Sequence, residues 1–419
     1  MKFERYDLDC GASFFAFRMP HAQSVATGIR VNAGTRDEDW TPNAASIPRE
    51  AGLAHACEHM HFQGNSKFAN SKETTAYLED VGGGANAFTS QELTFYYNVL
   101  PSRHAERAAT YLYHMLSEPL LRPEDITKEM KNILEEIKMY YDNPRSFAEI
   151  IFEKLAYGDH SLAKCALGTS EAVSAFSQED FLRYRSRFYS TGNYTFIAVG
   201  NFDPEKMAAQ FNALFGAQRS GERNVRTHES SIVHKKTLEV AGRDIKQLHV
   251  FLGAPIGPAE DRSTLALKVF TNMLSGGMSF PLFQEIRDKR GLCYTVRAGL
   301  SPYTDRSLFH IYLGTDPARS REAVSAVEDV VTASMGDKVL FLKAKDLIIG
   351  RMALSFESPA GILNSAAHST APGDVPRSPE EKIAEIESVE FEEMKAAAEQ
   401  YLLPSNLVRT FVGPNDFTW

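Results

Sequence analysis

The sequence predicts an α+β fold in two similar domains, each a mostly antiparallel sheet packed with helices, and three observations carry that expectation. At 419 residues the chain exceeds what one hydrophobic core usually organises. Short runs rich in aromatic and β-branched residues occur in pairs, and amphipathic stretches cluster between the pairs rather than following every strand. A pattern in the first half also recurs in the second. Phe188, Asn193 and Gly200 match Tyr401, Asn406 and Gly413, each 213 residues later, and Leu100 and Leu313 precede a helical stretch at the same offset. The expected domains are 1–218 and 232–419, joined by a polar linker over 219–231 with Gly221 among charges.

In chain order, Phe3–Asp9 and Ser13–Arg18 read as two short strands around Gly11, and Val25–Ala33 as a third with Ile29, Val31 and Ala33 on one face. A polar loop, Gly34 to Glu50, leads into a helix over the run GLAHACEHMHFQG. Ser71 is the expected N-cap of a helix reaching Leu78 and stopping at Gly82–Gly84. AFTS and LTFYYNVL, within 85–100, read as strands. Helices are expected over Pro101–Leu116, Pro123–Tyr140, Arg145–Tyr157, Gln178–Phe188 and Pro204–Phe215, with a strand at Tyr194–Val199.

Composition narrows the function classes. With 43% hydrophobic and 24% charged residues this is an ordinary globular chain, and its net charge of −9 without a basic block argues against nucleic acid as partner. Cys10, Cys57, Cys165 and Cys293 show no paired spacing, as expected of reduced thiols. Neither a signal region nor a run of about 18 apolar residues is present, so a cytoplasmic protein without membrane contact is expected.

His55-Ala56-Cys57-Glu58-His59 is the stretch that carries chemistry. On a helix His55 and His59 fall about 40° apart, close enough for two imidazoles to bind one metal ion. Glu58 lies about 60° from His55 on the same side, within reach of a metal-bound water without being a ligand. This is the H-x-x-E-H pattern of inverted zincins, in which the carboxylate is general base for peptide hydrolysis. Cys57 and His61 turn away from that face, and the remaining histidines lack ligand spacing.

Catalytic zinc usually takes three protein ligands. The helix EMKNILEEI (129–137) has an apolar stripe of Met130, Ile133, Leu134 and Ile137. Glu129 and Glu136 flank it within about 20° of each other, whereas Glu135 points about 150° away, toward solvent. Glu136 is therefore the better third ligand, and Glu129 a candidate for bonding a ligand from behind.

These motifs resemble the insulinase/pitrilysin family of zinc metallopeptidases, most closely its processing-peptidase-like branch. The resemblance rests on HACEHMHFQG, GGGANAFTSQELTFYY, EMKNILEEIKMYYDNP and FQEIRDKRGLCYTV, in that order along the chain. It implies zinc, one ion per chain, held by His55, His59 and Glu136, with Glu129 as the second acidic residue of the pattern. It implies an edge strand at Asn86, Ala87 and Phe88 that pairs with substrate backbone. It also implies that Arg287 and Tyr294, seven residues apart, contact the substrate and its developing oxyanion. From the residues alone, Asn86 serves equally as a turn residue after the glycines, Phe88 as core, and Arg287 as a solvated helix charge. The function expected is a zinc endopeptidase acting on peptides or unfolded segments in a closed chamber, as a homodimer or as a heterodimer with a related subunit. The alternatives are a non-catalytic subunit of a larger complex and a catalytic subunit needing a different partner chain.

Overall fold

A computed structural model describes residues 2–38, 51–218, 220–226, 237–368 and 374–419. Most of the loop Gly34–Glu50 before the motif, and 219 and 227–231 of the expected linker, lie outside the described residues.

The first half runs β1 (Glu4–Asp7), β2 (Ser13–Arg18), β3 (Ser24–Val31), α1 (Leu53–Met60), α2 (Ser71–Glu79), β4 (Gly84–Thr89), β5 (Thr94–Pro101), α3 (Glu106–Ser117), α4 (Pro123–Asp142), α5 (Pro144–Tyr157), α6 (Ser170–Ala175), α7 (Gln178–Phe188), β6 (Tyr194–Gly200) and α8 (Pro204–Phe215). The second runs β7 (Leu238–Arg243), β8 (Leu248–Pro255), α9 (Arg262–Ser275), β9 (Cys293–Ser301), β10 (Leu308–Thr315), α10 (Ser320–Ser334), α11 (Lys338–Ser355), α12 (Pro359–His368), α13 (Pro379–Glu387), α14 (Phe391–Tyr401) and β11 (Val408–Pro414). Three local details differ from the expectation. Asn70, not Ser71, caps α2, because its side chain accepts the Glu73 amide. A 3₁₀ turn, Ser102–His104, precedes α3 where an unbroken helix from Pro101 was expected. The six-residue α6 is too short to show periodicity in sequence.

The fold is α+β, with two mixed sheets packed by helices. The first has the order β1-β2-β6-β3-β5-β4 and the second β7-β11-β8-β10-β9. Apart from β1 the two orders correspond strand for strand, and in each sheet one pair is parallel, β2 with β6 and β7 with β11. The 213-residue offset maps α7 residue for residue onto α14.

The compact units are interleaved. One comprises 1–138, 164–226 and 353–382, the other 139–163, 227–352 and 383–419. All the first-half strands lie in the first unit and all the second-half strands in the second, yet one helical segment of each half is counted with the opposite unit. In the second unit α5 packs on β8 and β11 through Ala148, Phe152 and Ala156. In the first, α12 packs on β3 and β6, burying Ile362, Leu363 and Ala366 against Ala26, Ile197 and Val199. Helix α5 moved on by 213 begins within two residues of α12, so the repeat exchanges the same element in both directions. The opposite face of the first sheet is aromatic, with Phe14, Phe196, Phe211 and Phe215 in tilted and edge contacts.

Candidate metal centre

Helix α1 is short, so its orientation depends on how its ends are fixed. At the N-terminus Gly52 has φ 94°, and a Cβ there would meet the Leu167 carbonyl oxygen at 2.7 Å, so only glycine fits. The buried Glu38 carboxylate accepts the Gly52 amide at 3.0 and 3.1 Å and the Ala54 amide at 3.0 Å, placing negative charge at the positive end of the helix. At the C-terminus His61 is fully buried. Its Nδ1 lies 2.6 Å from the Cys57 carbonyl oxygen and 3.0 Å from the Tyr96 hydroxyl, which in turn lies 2.7 Å from that of Tyr189. Arg185 contacts the other ring nitrogen. Sequence reading gives no role to His61 or Glu38, because both act through partners outside the local pattern.

Between these anchors, α1 and α4 bring three ligand atoms together. His55 Nε2 and His59 Nε2 are 3.2 Å apart, and Glu136 Oε2 lies 3.8 Å from the first and 3.7 Å from the second. Ligand bonds of about 2.0–2.2 Å in tetrahedral geometry separate their donors by about 3.3–3.5 Å, so the trio fits one zinc ion. Among the described residues this is the one His/Cys/Asp/Glu group of such dimensions. At His55 protonation agrees with that use. Burial, helped by the neighbouring His59, pushes His55 down to about 3, leaving a neutral imidazole with a lone pair to donate. For His59 burial also pulls downward, but the bond to Glu129 and the surrounding carboxylates outweigh it and the pKa is raised.

Glu129 is buried behind this trio, with Oε1 2.9 Å from His59 Nδ1 and Oε2 accepting from Asn132 at 3.1 Å. That bond leaves His59 Nε2 facing the other two ligand atoms. Glu135 is exposed and pairs with Lys138 at 2.7 Å.

Glu58 is 8% exposed, and its Oε2 accepts from the Thr89 hydroxyl at 2.6 Å. Burial raises its pKa, while the Thr89 bond works the other way. Thr89 ends β4, the outermost strand of its sheet, whose inner edge pairs Asn86 with Tyr97, Ala87 with Tyr96 and Phe88 with Phe95. Its outer edge carries no strand among the described residues. Ala87 shares Thr89's face, and Phe88 faces the other way, stacked on His368 with ring centroids 5.0 Å apart.

Arg287 and Tyr294 belong to the other unit. Arg287 lies on a π-helical segment, Leu282–Lys289, and Tyr294 on β9, an edge strand. The Arg287 guanidinium stacks 4.7 Å over the Tyr294 ring, which is 75% exposed.

Residues 16–170 match the family model described as insulinase (peptidase family M16), and 175–339 match that described as peptidase M16 inactive domain. A protein of Rickettsia bellii named an uncharacterized zinc protease is 30% identical over 73% of this chain and 71% of its own length. One of Streptomyces coelicolor with the same description is 29% identical over 95% of this chain and 87% of its own length. Among solved structures, a peptidase M16 inactive domain from Pseudomonas fluorescens superposes with a TM-score of 0.88 at 19% identity, covering 99% of this chain and 98% of that one. A protease from Helicobacter pylori gives 0.85 at 18% identity, covering 99% and 100%.

Proposed function

The chain belongs to the insulinase family, peptidase family M16, and from that premise we propose that it is a zinc-dependent endopeptidase cleaving peptides or unfolded polypeptide segments. The observation that carries this reading is the convergence of His55 Nε2, His59 Nε2 and Glu136 Oε2 beside a buried carboxylate that is not one of them. Bound there, zinc supplies a Lewis acid that polarises a water molecule and the scissile carbonyl. Glu58 takes the proton of the attacking water and returns it to the leaving amine. Its raised pKa suits both halves of that task, and the Thr89 hydroxyl holds the carboxylate in place. Glu129 fixes the His59 ring through Nδ1.

An extended peptide is held by main-chain bonds to the outer edge of β4 at Asn86, Ala87 and Phe88, a mode with little dependence on sequence. Arg287 and Tyr294 bind the substrate and steady the developing oxyanion. The working form is a homodimer with one zinc ion per chain, enclosing a chamber that admits unfolded segments. Among the described residues no helix is long and apolar enough to cross a membrane. The test is cleavage of an unstructured peptide library by protein carrying one equivalent of zinc. Cleavage should stop with a chelator and return with zinc. Zinc-loaded protein that cleaves nothing would favour the non-catalytic alternative.

A further inference from the structure

Strand β3 carries a cation where its neighbours along the same face are apolar. Arg30 shares the face of Ala26, Ile197 and Val199, and is 5% exposed. Among the described residues its Nε and Nη1 have no hydrogen-bond partner. Arg30 stands opposite Thr195 on β6, and the fully buried Thr195 hydroxyl is likewise without a partner among the described residues. Cross-strand neighbours on one face hold their Cβ atoms about 4.5–5.5 Å apart, so the two side chains leave their strands side by side on the same face of the sheet.

The nearby acids are already engaged. Glu92 and Asp37 are the carboxylates whose fields favour the charged form of Arg30. Glu92 Oε1 lies 2.7 Å from Arg36 Nη1. Both oxygens of Asp37 accept from Arg226, at 2.7 and 2.9 Å, and Arg226 Nη1 also reaches Asn32 Oδ1 at 3.0 Å. Arg226 and Arg223 repel the Arg30 charge rather than satisfy it. A guanidinium cannot discharge itself by losing a proton at working pH, and a buried charge is stable only when its donors are met by an acceptor that offsets it.

We propose that a small monovalent anion of the chloride class binds in the first unit between Arg30 Nε and Nη1 and the Thr195 hydroxyl. A halide accepts several N–H and O–H donors at once and supplies the negative charge that Glu92 and Asp37 give to other arginines. Water would satisfy the donors but not the charge. The site is structural: it joins β3 to β6 and takes no part in peptide hydrolysis.

Two measurements test it. In the full-length chain, replacing gluconate by chloride at constant ionic strength should raise the thermal midpoint, by about 1–2 °C at ten times the dissociation constant. Arg30→Met, which removes the charge and the donors while keeping an unbranched apolar stem, and Thr195→Val, which replaces the hydroxyl by a methyl, should each abolish or weaken that dependence. In bromide-soaked crystals of the unaltered protein, an anomalous peak should lie within about 3.5 Å of Arg30 Nε and Nη1. A midpoint indifferent to the anion, or density at that place without anomalous signal, overturns the proposal.

Discussion

Glu129→Gln isolates what the carboxylate behind His59 contributes. Its Oε1 lies 2.9 Å from His59 Nδ1, with the two side chains 9% and 26% exposed, so solvent screens the contact only in part. A hydrogen bond to a charged group is worth about 1.5–3 kcal/mol and a neutral one about 0.5–1.5 kcal/mol. The Glu129→Gln variant therefore keeps the bond but loses about 1–1.5 kcal/mol, a roughly tenfold rise in the zinc dissociation constant, at the low end of the 10–100-fold range for such partners. The pH dependence has a defined sign. His59 in the metal-free protein has a raised pKa, so below that pKa a proton competes with zinc for the ring. Without the Glu129 charge the burial effect gains weight, the His59 pKa falls, and proton competition begins only at lower pH. The deficit of Glu129→Gln should thus be largest in mildly alkaline buffer and shrink as pH falls through the wild-type His59 pKa. Chelator competition across mildly acidic to mildly alkaline buffers measures it. A deficit independent of pH, or none in alkaline buffer, would refute the reasoning.

Glu58→Gln should bind zinc as the unaltered chain does while turnover drops at least about 10²-fold, because in the proposed mechanism Glu58 moves a proton and is not a ligand; metal loss matching that of His55→Ala would contradict this. Glu136→Gln should lose zinc and activity, whereas Glu135→Gln, altering an exposed residue paired with Lys138, should be nearly silent, as elemental analysis would show. Since Arg287 and Tyr294 accompany the metal residues in one chain, a homodimer is expected by sedimentation. If each second half serves the partner's zinc, mixing Glu58→Gln with Arg287→Ala should restore activity at one of two sites. An active monomer would remove the basis for that arrangement.

What was legible in the sequence was whatever repeats with a local period. The wheel over 129–137 separates Glu136 and Glu129 from Glu135 because each turn of α4 shows its face directly. The offset that maps α7 onto α14 was visible for the same reason, since helix ends and the following strand leave marked residues. The determinants at long range were not legible. Glu38 caps α1 from 14 residues upstream, and no local rule connects them. Thr89 reaches Glu58 only because β4 lies beside α1. Arg30 lies on the face of β3 that the apolar alternation of Ile29 and Val31 leaves unread. The helix exchange is invisible too, because α5 and α12 have ordinary amphipathic patterns that do not say which sheet they cover.

That exchange changes what counts as a folding unit. A fragment ending at the linker keeps every strand of the first sheet but loses α12, so Ala26, Ile197 and Val199 would face water. It also retains α5, whose Phe152 and Ala148 have their sheet on the missing fragment. Each fragment is therefore left with one uncovered apolar surface and one apolar helix without a seat, a complementary pair of defects. Two separated fragments should aggregate alone and recover on mixing. In the intact chain the linker makes this mutual repair intramolecular and so independent of protein concentration. Neither sheet can then open fully without releasing a helix that belongs to the other half, which couples the melting of the two into one event.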